Sequence, residues 1–143
     1  MGDVAWSSVR DKIANKVHNT CTECCFQIQR DTGLWYSAEY SSFSLSSEAD
    51  FYRLSVSGYS GDAGDALAAA VNPLRIVNGM RFTTSDQDND QKSSGVCMNG
   101  NTGWWFKFCA RSTLNYWSNG IWNADTDDNI RDVVFARMLV KLA

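Results

Sequence analysis

Two stretches of alternating hydrophobicity at opposite ends of the chain, separated by more than half its length, constrain what it can fold into. Cys25 to Gln29 sets Phe26 and Ile28 against Gln27 and Gln29, the period of a half-buried strand. Asp31-Thr32-Gly33 is turn chemistry, and Leu34 to Tyr40 resumes the strand pattern, so the two predict an antiparallel hairpin. Phe43 to Leu45 is a third short piece. Phe51 to Val56 reads as a fourth strand, with Tyr52, Leu54 and Val56 on one face and Arg53 and Ser55 on the other. At the far end Val133 to Leu142 alternates again, placing Val134, Ala136, Met138, Val140 and Leu142 on one side. That last stretch reads as a strand returning to the sheet.

A length of 143 residues fits one domain with a real core. Ahead of the strands, Ser7 to Val17 predicts a short helix. Val9, Ile13 and Val17 make its apolar stripe, with Ser8 as N-cap and Asp11 three residues on. The expected class is therefore α+β: a short N-terminal helix, a twisted antiparallel sheet and a loop-rich C-terminal region. Residues 1–24 form a divergent N-terminal segment, 25–56 and 133–142 the sheet, and 57–132 a loop-rich binding region.

That middle region opens on Gly58-Tyr59-Ser60-Gly61-Asp62-Ala63-Gly64-Asp65, a glycine-rich loop without the Lys of a phosphate-binding loop. Ala66 to Val71 predicts a turn or two of helix, ended by Pro73. Then comes Asp86-Gln87-Asp88-Asn89-Asp90, three carboxylates alternating along five residues. Such charge density belongs on a surface loop, and alternating Asp residues offer hard oxygen ligands to one cation; a solvated acidic turn is the other reading. The pattern is not an EF-hand: with Asp86 first, Gln91 stands where the turn needs Gly and Cys97 where the loop needs a bidentate Glu. Asp88 and Asp90 are the natural side-chain ligands.

Of the five cysteines, Cys97 and Cys109 bracket the aromatic run Trp104-Trp105-Phe106 and look like a disulfide closing a short loop, worth on the order of 3 kcal/mol. Cys21, Cys24 and Cys25 form an odd set: one further bridge plus a thiol, a reactive cluster, or partly buried thiols. His18 is the only histidine, which rules out an all-histidine zinc site and leaves a Cys21, Cys24 and His18 set at poor spacing. A thiol enzyme built on Cys24 or Cys25 with His18 lacks an orienting acid at a recognisable spacing, so no enzyme is expected. A net charge of −3 argues against nucleic acid and anionic membranes as partners. The longest apolar run, Ala66 to Val71, is far from membrane-spanning length. No signal peptide is expected, because the N-terminus has no apolar core, and Trp6 stands where a myristoylation signal wants Ser or Thr.

Several segments together resemble the fibrinogen C-terminal domain family, including its ficolin- and tachylectin-type members. They are Tyr52 to Leu67, Asn78-Gly79-Met80-Arg81-Phe82-Thr83-Thr84, the Asp86 to Asp90 run, Trp104-Trp105 before Cys109, and upstream Tyr36 to Phe43. The resemblance covers roughly residues 25 to 143. It implies a single, partial, N-terminally truncated fibrinogen C-terminal-like domain, secreted and without catalysis. It also implies calcium as cofactor, with Asp88 and Asp90 as side-chain ligands and carbonyls from Lys92 and from Ser94 or Gly95. The family disulfide maps onto Cys97–Cys109, with a cis peptide before Cys109. Its pocket maps onto Asn99, Asn101, Lys107, Phe108 and Ala110, with Tyr116, Trp117 and Trp122 as aromatic lining. The implied partners are acetylated glycans or other acetylated ligands, with protein partners as the alternative. The chain departs from the family pattern at Ala110, where a His is common, and over Asn115 to Asn129, which carries its own acidic run of Asp125, Asp127 and Asp128.

Overall fold

The computed structural model describes residues 21–95, 97, 103–110, 112–115, 120–123 and 130–142. Five strands make one antiparallel sheet: β1 (Cys21–Arg30), β2 (Trp35–Leu45), β3 (Leu54–Gly61), β6 (Gly120–Trp122) and β7 (Ile130–Leu142). Two short strands between them, β4 (Phe82–Thr83) and β5 (Trp104–Trp105), pair separately. The order in the large sheet is β3-β2-β1-β7-β6, so the C-terminal strand lies beside the first. Phe26 is opposite Ala38 on one side and Met138 on the other.

The class expected from the sequence needs correcting. Among the described residues the fold is mostly β-sheet, with no helix of seven or more residues. Among these residues helical backbone is limited to two 3-10 turns, Glu48–Asp50 and Pro73–Arg75. The helix expected over Ser7 to Val17 lies outside the described residues. The helix expected over Ala66 to Val71 is replaced by irregular turns, for a local reason. Asp65 Oδ1 accepts the Leu67 and Ala68 amides at 3.3 and 2.9 Å, and the Leu67 carbonyl accepts from the Val77 and Asn78 amides. Asp offers the backbone a competing arrangement, and buried Leu67 and Ala66 are drawn to the sheet instead of to a helix of their own.

The hairpin between β1 and β2 forms as its pattern predicts. Gly33 takes φ +84° in the turn, and the Arg30 amide donates to the Leu34 carbonyl at 3.0 Å. The two pieces expected over Leu34–Tyr40 and Phe43–Leu45 are one continuous strand. The fourth strand starts later than expected, because Phe51 and Tyr52 both adopt left-handed backbone, φ +52° and +50°. That geometry costs roughly 1–2 kcal/mol per residue in a non-glycine. It is held by tertiary contacts: Trp105 Nε1 donates to the Tyr52 carbonyl at 2.8 Å, and the Phe82 amide donates to the Phe51 carbonyl. In β7 the alternation slips once. A register shift between Gln29 and Arg30 puts Val133 opposite Arg30 and in the core, while Val134 is left 60% exposed. Ala136, Met138 and Val140 pack against the core as the alternation predicts.

The core lies on one face of the sheet. Phe26, Ile28, Tyr40, Phe43, Leu54, Trp122 and Ile130 are fully buried there. Phe26 meets Trp122 at 5.1 Å and Tyr40 edge-on at 6.2 Å between ring centroids. The Tyr40 hydroxyl donates to Asp65 Oδ1 at 2.8 Å; burial, then the Asp65 charge and hydrogen bond, push the phenol far above its ordinary value. Asp65 thus pins the glycine-rich loop to the sheet centre. Gly61, φ +118°, closes that loop against β2: a Cβ there would meet the Ser37 carbonyl oxygen at 2.3 Å, so only glycine fits.

Candidate functional site

The acidic loop grows out of the small β4–β5 ladder. Phe82 and Thr83 pair with Trp105 and Trp104, and Asn89 ties the loop back to them: its amide nitrogen Nδ2 donates to the Phe82 carbonyl at 2.7 Å, and its backbone amide to Thr83 Oγ1 at 3.1 Å. Within the loop, the Thr84 hydroxyl donates to Asp86 Oδ1 at 2.7 Å, and Asp88 Oδ1 accepts from the Asp90 amide at 3.1 Å. Asp90 is engaged on both oxygens, Oδ1 by the Lys92 amide and Oδ2 by the Cys97 amide, each at 2.8 Å. Asp88 is exposed, and Gly95 ends the turn with φ +71°.

The next wall is the disulfide. Cys97 and Cys109 are bonded with Cα atoms 4.8 Å apart. The Gln91 amide donates to the Lys107 carbonyl at 2.7 Å, which lays the acidic loop against the segment leading to Cys109. On its other side this segment is tied to the Pro73–Arg75 turn: the Phe108 amide donates to the Leu74 carbonyl at 3.1 Å and Lys107 Nζ to the Pro73 carbonyl at 3.2 Å. The resemblance implied a cis peptide before Cys109; the structure has a trans peptide there, and Cys109 instead turns the chain through left-handed backbone, φ +55°.

Of the residues singled out by resemblance, Asp88, Asp90, Lys92, Ser94 and Gly95 lie in one loop, and Lys107, Phe108 and Ala110 flank Cys109 beside it. Phe108 is 41% exposed, while Ala110 is half-buried against the core. Trp122 lies elsewhere. It is wholly buried on Phe26, with Nε1 donating to the Gly64 carbonyl at 2.9 Å, and serves the core rather than any surface. Asn99, Asn101, Tyr116 and Trp117 lie outside the described residues, as does His18. The turn bearing Leu74 and Arg75 joins the site unannounced. Asn72-Pro73 was a legible signal for a turn, but not for where that turn packs.

No group of three or more His, Cys, Asp or Glu side chains converges among the described residues. A cation here would draw on two carboxylates and on main-chain carbonyls. That oxygen-only donor set fits calcium, which takes six to eight oxygens, and each Asp90 oxygen keeps a second lone pair beyond its amide bond. Two cavities lie apart from this loop. One of about 30 Å³ is lined by Phe26, Phe82, Trp104, Leu114 and Met138. Another of about 460 Å³ lies beside Cys25, Glu39, Leu139 and Lys141. Cys25 carries a free thiol whose pKa is raised, first by burial and then by the Glu39 charge, so it is a poor nucleophile at neutral pH.

The large sheet thus carries an acidic loop and, beside it, a segment closed by the Cys97–Cys109 disulfide. The model of the fibrinogen beta and gamma chains, C-terminal globular domain, matches residues 6–136, and the chain belongs to that family. Fibrinogen-like protein 1 of Rattus norvegicus is 34% identical over 98 residues, covering 65% of this chain and 31% of that protein. Among solved structures, a lamprey fibrin D-dimer complexed with the peptide ligand Gly-His-Arg-Pro-amide superposes with a TM-score of 0.75 at 26% identity, over 90% of this chain and 48% of that one. The fibrinogen-like globe of human ANGPTL6 does so at 0.70 and 26% identity, over 92% of this chain and 61% of that one. The chain thus spans about a third of the first relative's length and half to two thirds of these solved chains.

Proposed function

We propose that the chain is an extracellular recognition module without catalytic activity, in which calcium held by the acidic loop braces a ligand surface beside Cys97–Cys109. The observation that carries this reading is the Asp90 carboxylate, which accepts from the Cys97 amide at 2.8 Å. One side chain therefore ties the acidic loop to the first cysteine of the disulfide. Asp88 and Asp90, with carbonyls of Lys92, Ser94 and Gly95, would hold the ion, whose charge would fix the loop. The disulfide supports the extracellular assignment, because such bonds persist in oxidising compartments.

The ligand class proposed is an acetylated carbohydrate or a similar acetylated group. Phe108 and Ala110 would pack on the methyl, and Lys107, Asn99 and Asn101 would face the polar atoms, with Tyr116 and Trp117 as lining. A protein- or peptide-binding role is the second reading. The exposure of Phe108 and Leu74, 41% and 49%, favours it, since exposed apolar side chains beside a site suit a protein surface. Thermal unfolding of the oxidised protein in calcium and in chelator, followed by titration with N-acetylglucosamine, separates these. A ligand at a hundredfold its Kd adds about 2.7 kcal/mol to the folded state. An upward shift in calcium and a further shift with the sugar are expected. A melt indifferent to calcium overturns the calcium reading, and indifference to the sugar alone moves the assignment to a peptide or protein ligand.

A further inference from the structure

The Pro73–Arg75 turn and the segment before Cys109 make a surface of mixed character. Their adjacency is set by two bonds, Phe108 amide to Leu74 carbonyl and Lys107 Nζ to Pro73 carbonyl. Leu74 and Phe108 are half exposed there, and Val71, just before the turn, is 85% exposed. Arg75 and Lys107 stand beside these apolar groups. Neither forms an ion pair with any described residue, whereas Arg53, Arg81 and Lys141 all do. Asp90, on the adjoining loop, is turned to the amides of Lys92 and Cys97. In a chain of net charge −3, this spot therefore offers two cations with no ion-pair partner among the described residues, around an apolar centre.

We propose that this surface docks a partner peptide segment carrying a carboxylate next to a large aliphatic or aromatic side chain. The carboxylate would lie between Arg75 and Lys107, and the apolar side chain on Leu74 and Phe108. The planar Arg fork suits a carboxylate in particular. A basic segment would meet repulsion at the same place, so the charge pattern chooses the partner's sign. Leu74 and Arg75 lie outside the acetyl-ligand set, so this surface goes beyond the pocket proposed above, and it does not depend on calcium.

The test uses the oxidised full chain and a panel of labelled synthetic peptides of fixed length. Each has a Leu-Phe pair flanked by Glu, by Gln or by Lys, and binding is read by fluorescence anisotropy in chelator, with no sugar present. Preference for the Glu peptides over the Lys peptides by tenfold or more is expected, weakening with added salt. Arg75→Glu should abolish that preference, and Phe108→Ser should weaken all peptides. Equal binding of Glu and Lys peptides, no binding to any of them, or a preference untouched by Arg75→Glu in a variant with unchanged Tm would overturn the proposal. Because chelator is present and sugar is absent throughout, Glu-peptide binding supports this surface even if the calcium and acetyl readings fail.

Discussion

The Cys97 amide donates to the Asp90 carboxylate at 2.8 Å, and the other Asp90 oxygen accepts from Lys92 at the same distance. One acidic side chain thus organises its own loop and anchors the first half of the disulfide. Replacing Asp90 by Ala leaves two amides without acceptors. A loss of about 1–3 kcal/mol is expected even in chelator, because partly buried donors lose their partners. Any upward melting shift in calcium should vanish with it. A calcium shift of wild-type size in Asp90→Ala would remove this residue from the proposed ion site.

Trp122 fills the centre of the core against Phe26 and donates to the Gly64 carbonyl. Trp122→Phe keeps most of the ring volume but removes the donor and leaves a void. A destabilisation of about 2–3 kcal/mol is expected by urea unfolding, with the m-value unchanged. Trp122→Ala should cost more, about 3–5 kcal/mol. If instead Trp122→Phe leaves stability intact and removes ligand binding, the residue faces a ligand and not the core.

Asp50 accepts from Arg53 Nε at 2.8 Å and from Arg81 Nη2 at 2.9 Å. The hydrogen bonds from Arg53, then those from Arg81, hold its carboxyl well below its ordinary value of 3.8. A carboxyl depressed in the folded state contributes stability that is complete above the ordinary value and is lost as pH falls through the depressed one. Asp50→Asn should therefore lower Tm by roughly a few degrees at pH 7, the modest effect of an exposed pair. The gap to wild type should close as pH drops below 3.8. A gap that is constant from pH 7 to pH 2 would show that charge is not the cause.

Much of the sheet was legible because a strand's signal is local. Phe26 and Ile28 against Gln27 and Gln29 need only the period of two to assign faces, and Gly33 marks its own turn. The loss of the helix over Ala66 to Val71 was not legible. Alanines favour a helix in isolation, but Asp65 and the buried Leu67 answer to Tyr40 and Val77, which are distant in sequence. Trp122 shows the same limit: whether an aromatic lines a pocket or fills a core depends on what packs on it, here Phe26.

By itself the sequence determined the alternating faces of β1 and of β7 from Ala136 to Val140, the turn between β1 and β2, the cysteine pair and the acidic loop, because each rests on the chemistry of neighbouring residues. Tertiary structure alone decided that β7 lies beside β1, that Asp90 reaches Cys97, and that the Pro73–Arg75 turn backs onto Phe108. The first and last of those contacts join residues far apart along the chain, and the second joins residues seven apart; their energies arise only once burial and main-chain hydrogen bonding bring the segments together.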